Sequence, residues 1–148
     1  MEGKGAMSKI TAFVNVTLDG VMQAPGRPDE DRRGDFQHGG WAAPYADEVL
    51  GRVAAEQGKD IVMLGSGALV QSLMRHDLVD AYKLLIHPLV LGSGRRLFAD
   101  GGPEAAPRLV DTTTTTTGVI VATYQPAEAT PGHLRVPVDR GESISGQR

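Results

Sequence analysis

The stretch Asp60 to Met74, DIVMLGSGALVQSLM, constrains this chain more than any other. An apolar run, Ile61-Val62-Met63-Leu64, stops at Gly65-Ser66-Gly67, and a helical spacing begins at once, with Leu69, Val70, Leu73 and Met74 on one face. Strand, tight glycine turn and helix N-terminus together present free backbone N–H groups and a positive dipole end to an anion. Ser66 is a good N-cap, and its hydroxyl or the N–H groups of Gly67, Ala68 and Leu69 could meet a phosphate. The alternative is a plain tight turn between strand and helix. The pattern is not the dinucleotide fingerprint G-x-G-x-x-G, because Val70 stands at the third glycine position, and it is not a P-loop, because no Gly-Lys-Ser/Thr follows.

The totals exclude several classes. At 148 residues the chain is expected to form one domain, and its 41% hydrophobic and 22% charged content are those of a soluble globular protein. A formal charge of −3 gives no basic footprint for nucleic acid. With no cysteine there is no disulfide framework and no thiolate nucleophile or metal ligand. No apolar run approaches the roughly 18 residues that a membrane span needs, so a cytoplasmic protein without membrane contact is expected. Residues 1–8 read as a flexible extension, 9–126 as the domain, and the Gly- and Pro-containing tail 127–148 as disordered.

Along the domain, Ile10 to Thr17 alternates as a strand and ends at Leu18-Asp19-Gly20. Gly20 to Ala43 is rich in Gly, Pro and charge, with Met22, Phe36 and Trp41 as isolated apolar residues. A loop of this length is expected either to close on a ligand as a lid or to be a disordered excursion whose Trp41 packs on the body. Pro44, Asp47 and Glu48 mark the start of a helix running to about Gln57, with Tyr45, Val49, Leu50 and Val53 as its apolar stripe. After the Gly65 turn and its helix, Ala81 to His87 is a strand with Tyr82, Leu84 and Ile86 on one side. Arg108 to Asp111 and Gly118 to Tyr124 read as two strands of a hairpin joined through Thr112 to Thr117, since threonine favours strands. Strands alternating with helices early and pairing as a hairpin late give a mixed α/β sheet with antiparallel C-terminal strands.

Three further groups invite chemistry. Asp19 lies where a strand emerges, as an orienter or proton relay or as a mere turn residue. Gly92-Ser93-Gly94-Arg95-Arg96 offers donors to a phosphate or forms a solvated surface turn. His38, His76, His87 and His133 show no metal-ligand spacing, so no metal is assigned.

Taken together, the segments VTLDGVMQAPG (16–26), GGWAAPYADEVLGR (39–52), GKDIVMLGSGALVQSLMRHDLVDAYKLLIHPLVLGSGRRLF (58–98) and RLVDTTTTTTGVIVATYQP (108–126) resemble the dihydrofolate reductase-like family. The branch they resemble is that of the reductase domain of riboflavin-biosynthesis enzymes. The resemblance implies a three-layer fold and NADPH-dependent reduction of a small pteridine- or pyrimidine-like heterocycle. By position, it places Gly65, Ser66, Gly67, Ala68 and Leu69 at the cofactor pyrophosphate. It sets Leu18, Gly20 and Val21 beside the nicotinamide, Trp41 at the substrate and Asp19 as the catalytic carboxylate.

The resemblance is interrupted. Family members resume after the first helix with a strand, a Gly-Arg-x-Thr-Tyr turn, a helix and strands carrying a Ser-Arg element, whereas here Arg52 runs directly into VAAEQG. In the family those residues grip the adenosine end of the cofactor. At about 1.5–3 kcal/mol per charge-assisted hydrogen bond, losing two would weaken the cofactor by on the order of 10²–10⁴. The sheet would be shortened on one flank, with strand 60–64 left as an edge. An all-apolar edge invites pairing, so a homodimer covering it is expected. The other function class is a non-catalytic remnant of the fold, acting as an interaction or nucleotide-fragment-binding domain.

Overall fold

The computed structural model describes residues 9–56, 61–63, 67–98 and 100–127. The expected extension, the tail beyond 127, and Leu64, Gly65 and Ser66 of the glycine turn lie outside the described residues. Strand β1 (Ile10–Thr17) is followed by two short 3-10 turns (Arg33–Asp35 and Ala43–Tyr45) and helix α1 (Glu48–Ala55). Strand β2 (Ile61–Met63), helix α2 (Gly67–Arg75), and strands β3 (Ala81–His87), β4 (Arg108–Thr114) and β5 (Ile120–Gln125) complete the order.

The five strands form one sheet in the order β2-β1-β3-β5-β4. β1 runs parallel to both β2 and β3, and β5 runs antiparallel to both β3 and β4. The period-2 patterns divide the apolar residues between two faces. On one face Ala12, Val14, Val16 and Tyr82 pack with Val70, Leu73 and Met74 of α2. On the other, Phe13, Leu85 and Val121 pack with Val53, Val49 and Leu50 of α1. Helix, sheet, helix makes three layers, and β2 is an edge strand, both as expected.

Three local readings are corrected. The helix expected from Pro44 starts later: Ala46 is extended (ψ 139°), and Asp47 rather than Pro44 opens α1, its carboxylate accepting from the Leu50 N–H at 2.9 Å. The other oxygen of Asp47 accepts from the Thr116 N–H at 2.9 Å and its hydroxyl at 2.7 Å, so one side chain caps the helix and ties it to the β4–β5 turn. Leu69 does not join the buried stripe of α2; it is 49% exposed, because it sits in the first turn, at the end of the sheet. The hairpin strand β4 runs to Thr114, so half of the threonine run is strand. The rest folds the turn: Thr115 Oγ1 accepts from Val119 N, and Thr117 Oγ1 donates to the Tyr45 carbonyl.

Candidate functional site at the carboxyl edge of the sheet

Because β1 is parallel to β2 and β3, the segments that follow all three emerge at one edge of the sheet. After β1 the chain turns tightly at Leu18–Gly20. Thr17 N donates to the Val21 carbonyl and Gly20 N to the Thr17 carbonyl, both at 3.0 Å. Gly20 has φ +84°, a backbone state that costs a side-chain-bearing residue energy. Val21 is fully buried, whereas Leu18 is 63% exposed and Leu69 49%, so the edge presents apolar surface to solvent beside the start of α2.

The segment following β3 docks alongside this turn. Leu18 N donates to the Leu89 carbonyl, Met22 N to the Arg95 carbonyl and Leu97 N to the Gly20 carbonyl, at 2.8, 2.8 and 3.0 Å. Asp19 fastens the two segments. Its carboxylate accepts from the Thr17 hydroxyl at 2.6 Å and from the N–H groups of Leu91 and Gly92 at 3.2 and 2.9 Å. Arg96 lies 3.7 Å from the same carboxylate and donates through Nε to the Asp19 carbonyl at 3.0 Å. These bonds, led by that from Thr17, hold the Asp19 pKa down to about 2 against the opposing pull of burial. Asp19 is therefore ionised at neutral pH: an acceptor with its lone pairs largely committed, suited to positioning.

The Gly92–Arg96 segment is largely exposed, as expected of a surface turn, yet it is anchored to the body at Gly94. Gly94 (φ +121°) lies so close to the body that a Cβ there would fall 2.6 Å from Phe36 and 2.8 Å from Val21. Gln23, 3% exposed, is the hub. Its Nε2 donates to the Asp31 and Arg33 carbonyls at 3.1 and 2.9 Å, and its Oε1 accepts from Arg95 N at 2.9 Å. One side chain thus joins the long loop to the segment after β3. Gln23 escaped the sequence reading because its shorter bonds are to backbone atoms, which leave no residue-type signal.

The long loop is packed down. Phe36 and Trp41 are buried with Val21 and Ala24, and the Trp41 Nε1–H donates to the Gln23 carbonyl at 2.8 Å. Trp41 packs on the body, as one sequence alternative expected, while the loop around it is ordered by the Gln23 bonds rather than disordered. With 7% exposure and its indole N–H committed to the Gln23 carbonyl, Trp41 supports the loop. Behind it lies His87, fully buried, with Trp41 and Tyr45 rings edge-on at 5.1 and 5.4 Å. Its Nδ1 meets the Leu85 carbonyl at 2.9 Å, while Nε2 has no partner in hydrogen-bond geometry. Burial lowers its pKa, although the Leu85 and Val16 carbonyls pull the other way.

Of the residues singled out in the sequence, the fold brings Leu18, Asp19, Gly20 and Val21 to the same edge as Gly67, Ala68 and Leu69, which open α2 on the neighbouring parallel strand's far side. An edge combining a helix N-terminus with exposed leucines matches the chemistry of a nucleotide: anionic at one end, with a flat apolar ring at the other.

Comparison with known proteins gives the family and the fold. The family model of the RibD C-terminal domain matches residues 45–121. The uncharacterized protein YyaP of Bacillus subtilis (strain 168) is 35% identical over 77 residues, which are 52% of this chain and 41% of that protein. The match thus spans about two-fifths of the length of this curated relative. RibD of Acinetobacter baumannii superposes with a TM-score of 0.51 at 13% identity, over 82% of this chain and 59% of that one. A protein of riboflavin biosynthesis from Shewanella sp. PV-4 gives 0.50 at 12% identity, over 81% and 99%. At these identities the likeness speaks for the fold, and it bears out the dihydrofolate reductase-like architecture.

Proposed function

This chain belongs to the RibD C-terminal domain family, and we propose that it binds NADPH along the carboxyl edge of the sheet and reduces a small pteridine- or pyrimidine-like heterocycle. The observation that supports this reading is that α2 is tied to the turn after β1: Gln71 Nε2 donates to the Leu97 carbonyl at 2.7 Å, and Leu97 N donates to the Gly20 carbonyl at 3.0 Å. The amides opening α2 are suited to the pyrophosphate, and Leu18 and Leu69 supply apolar surface for a flat ring. Bound NADPH supplies a hydride to a C=N or C=O carbon, and the nitrogen or oxygen takes a proton from water. Asp19 holds the wall of the site by fixing the Leu91–Gly92 amides, and its charge orients donors of the substrate.

The test uses Trp41, the single tryptophan, as reporter. NADPH titrated into the protein is expected to quench Trp41 emission with saturation in the micromolar range. Gly67→Asp is expected to abolish the response, since an acidic residue at a helix N-terminus favours the helix yet repels a phosphate. No response at millimolar NADPH overturns the proposal.

One observation favours the second reading, a non-catalytic nucleotide-fragment-binding domain. Only residues 56–60 separate α1 from β2, too few for the strand–helix–strand flank that grips adenosine in the family. Under that reading NADPH fails to saturate, while shorter phosphate-bearing fragments still bind. The same short connection supports a homodimer, in which a second copy covers the edge of β2.

A further inference from the structure

A second cavity lies on the α2 face of the sheet, toward the opposite ends of the strands. The chain leaves the carboxyl edge at Leu97, bonded to Gly20, and reaches β4 at Arg108, paired with Gln125. It therefore crosses the sheet beside α2. Between this crossing segment and Met74, near the end of α2, is a groove of about 720 Å³ floored by Tyr82, Leu84 and Tyr124 and walled by Phe98 and Glu104. Register explains the floor: Tyr82 pairs with Tyr124 and Leu84 with Ala122, so these side chains share one face. α2 packs on that face mainly over β1 and β3, with Tyr124 at the margin of the cluster.

Three of the chain's seven aromatic residues (3 Phe, 3 Tyr, 1 Trp) line this groove, a concentration that composition does not require. Its volume is that of a small-molecule site, about 300–1,000 Å³. Among the described residues Glu104 is the one carboxylate that lines the groove, and no described Lys, Arg or His lines it. Burial raises the Tyr82 pKa, with a contribution from Asp77, so its hydroxyl stays a neutral donor. We infer that this groove binds a planar aromatic small molecule, neutral or cationic, lying against Tyr82, Tyr124 and Phe98 with any positive group toward Glu104. An anionic ring system meets only Glu104 and neutral apolar walls there. The site is separate from the nucleotide edge and does not depend on the activity proposed for it.

Two dyes sharing one ring system test the charge and the shape together: neutral N-phenyl-1-naphthylamine and its sulfonate, 8-anilinonaphthalene-1-sulfonate. With the full chain, the neutral dye is expected to saturate at one per chain and to bind at least about ten-fold more tightly than the sulfonate. Ala105→Trp, at an exposed lining position, is expected to weaken it by about ten-fold or more, and Glu104→Lys to bring the sulfonate within about three-fold of it. Gly67→Asp should leave both dyes unaffected. On the unaltered protein, the Met74 and Leu84 methyl resonances should shift in step with binding.

Equal affinity for both dyes, indifference to Ala105→Trp, displacement by NADPH, or unmoved Met74 and Leu84 methyls would each overturn the inference. So would binding that weakens as protein concentration rises, because a second copy would then occupy the groove.

Discussion

His87 shows what a single residue can do in this fold. It is fully buried against Trp41 and Tyr45, and burial depresses its pKa below the ordinary 6.5. Below pH 6.5 the unfolded chain therefore takes up a proton that the folded chain refuses. Its contribution to stability is complete above that value and is lost as pH falls toward the folded pKa, by up to about 1.4 kcal/mol per pH unit. Urea unfolding from pH 7 to 4.5 should show this slope, and His87→Phe, which keeps a ring between the two aromatics, should flatten it; an unchanged slope assigns the acid sensitivity elsewhere. Gly94 makes a second case. Gly94→Ala forces a Cβ against Phe36 and Val21 at positive φ and should destabilise the protein by about 2–3 kcal/mol, read as a lower urea midpoint. A midpoint within error of the parent would contradict that close approach. Neither role was legible in the sequence, because burial by a loop some 50 residues earlier leaves no local trace at a histidine ending a strand or a glycine in a Gly-Ser-Gly-Arg-Arg run.

Elements were more legible where periodicity decides and less so where capping does. The strands 10–17 and 81–87 and the stripe Val49, Leu50, Val53 follow from alternation and helical spacing, since each must bury one face. The start of α1 did not follow, because Pro44 is a good first helical residue in isolation. Asp47 takes over as the cap because its second oxygen is held by Thr116, a partner 69 positions away. Asp47→Ala should thus lower the urea midpoint by more than the loss of a plain cap, with an unchanged denaturant slope. A midpoint within error of the parent would mean that the link to the β4–β5 turn bears no load. The threonine run is explained at this scale too: Thr112–Thr114 are strand, and Thr115 and Thr117 satisfy backbone groups in the turn and Tyr45.

For the whole molecule, the layer order was readable because the family's segments keep their sequence order, while the docking of 89–97 against 18–24 was not, being made of backbone bonds. The shortened connection before β2 leaves that strand at the sheet's edge. Light scattering after size exclusion should give twice the 15.7 kDa chain mass; a monomer at micromolar concentration would contradict pairing over β2. The nucleotide edge itself is tested most directly by amide resonances of the full chain during an NADPH titration. Amides of Leu18–Val21 and Gly67–Leu69 should move together along one saturating curve while those of Tyr82 and Tyr124 stay put. Stationary amides at the carboxyl edge, or shifts confined to the Tyr82–Tyr124 groove, would contradict it.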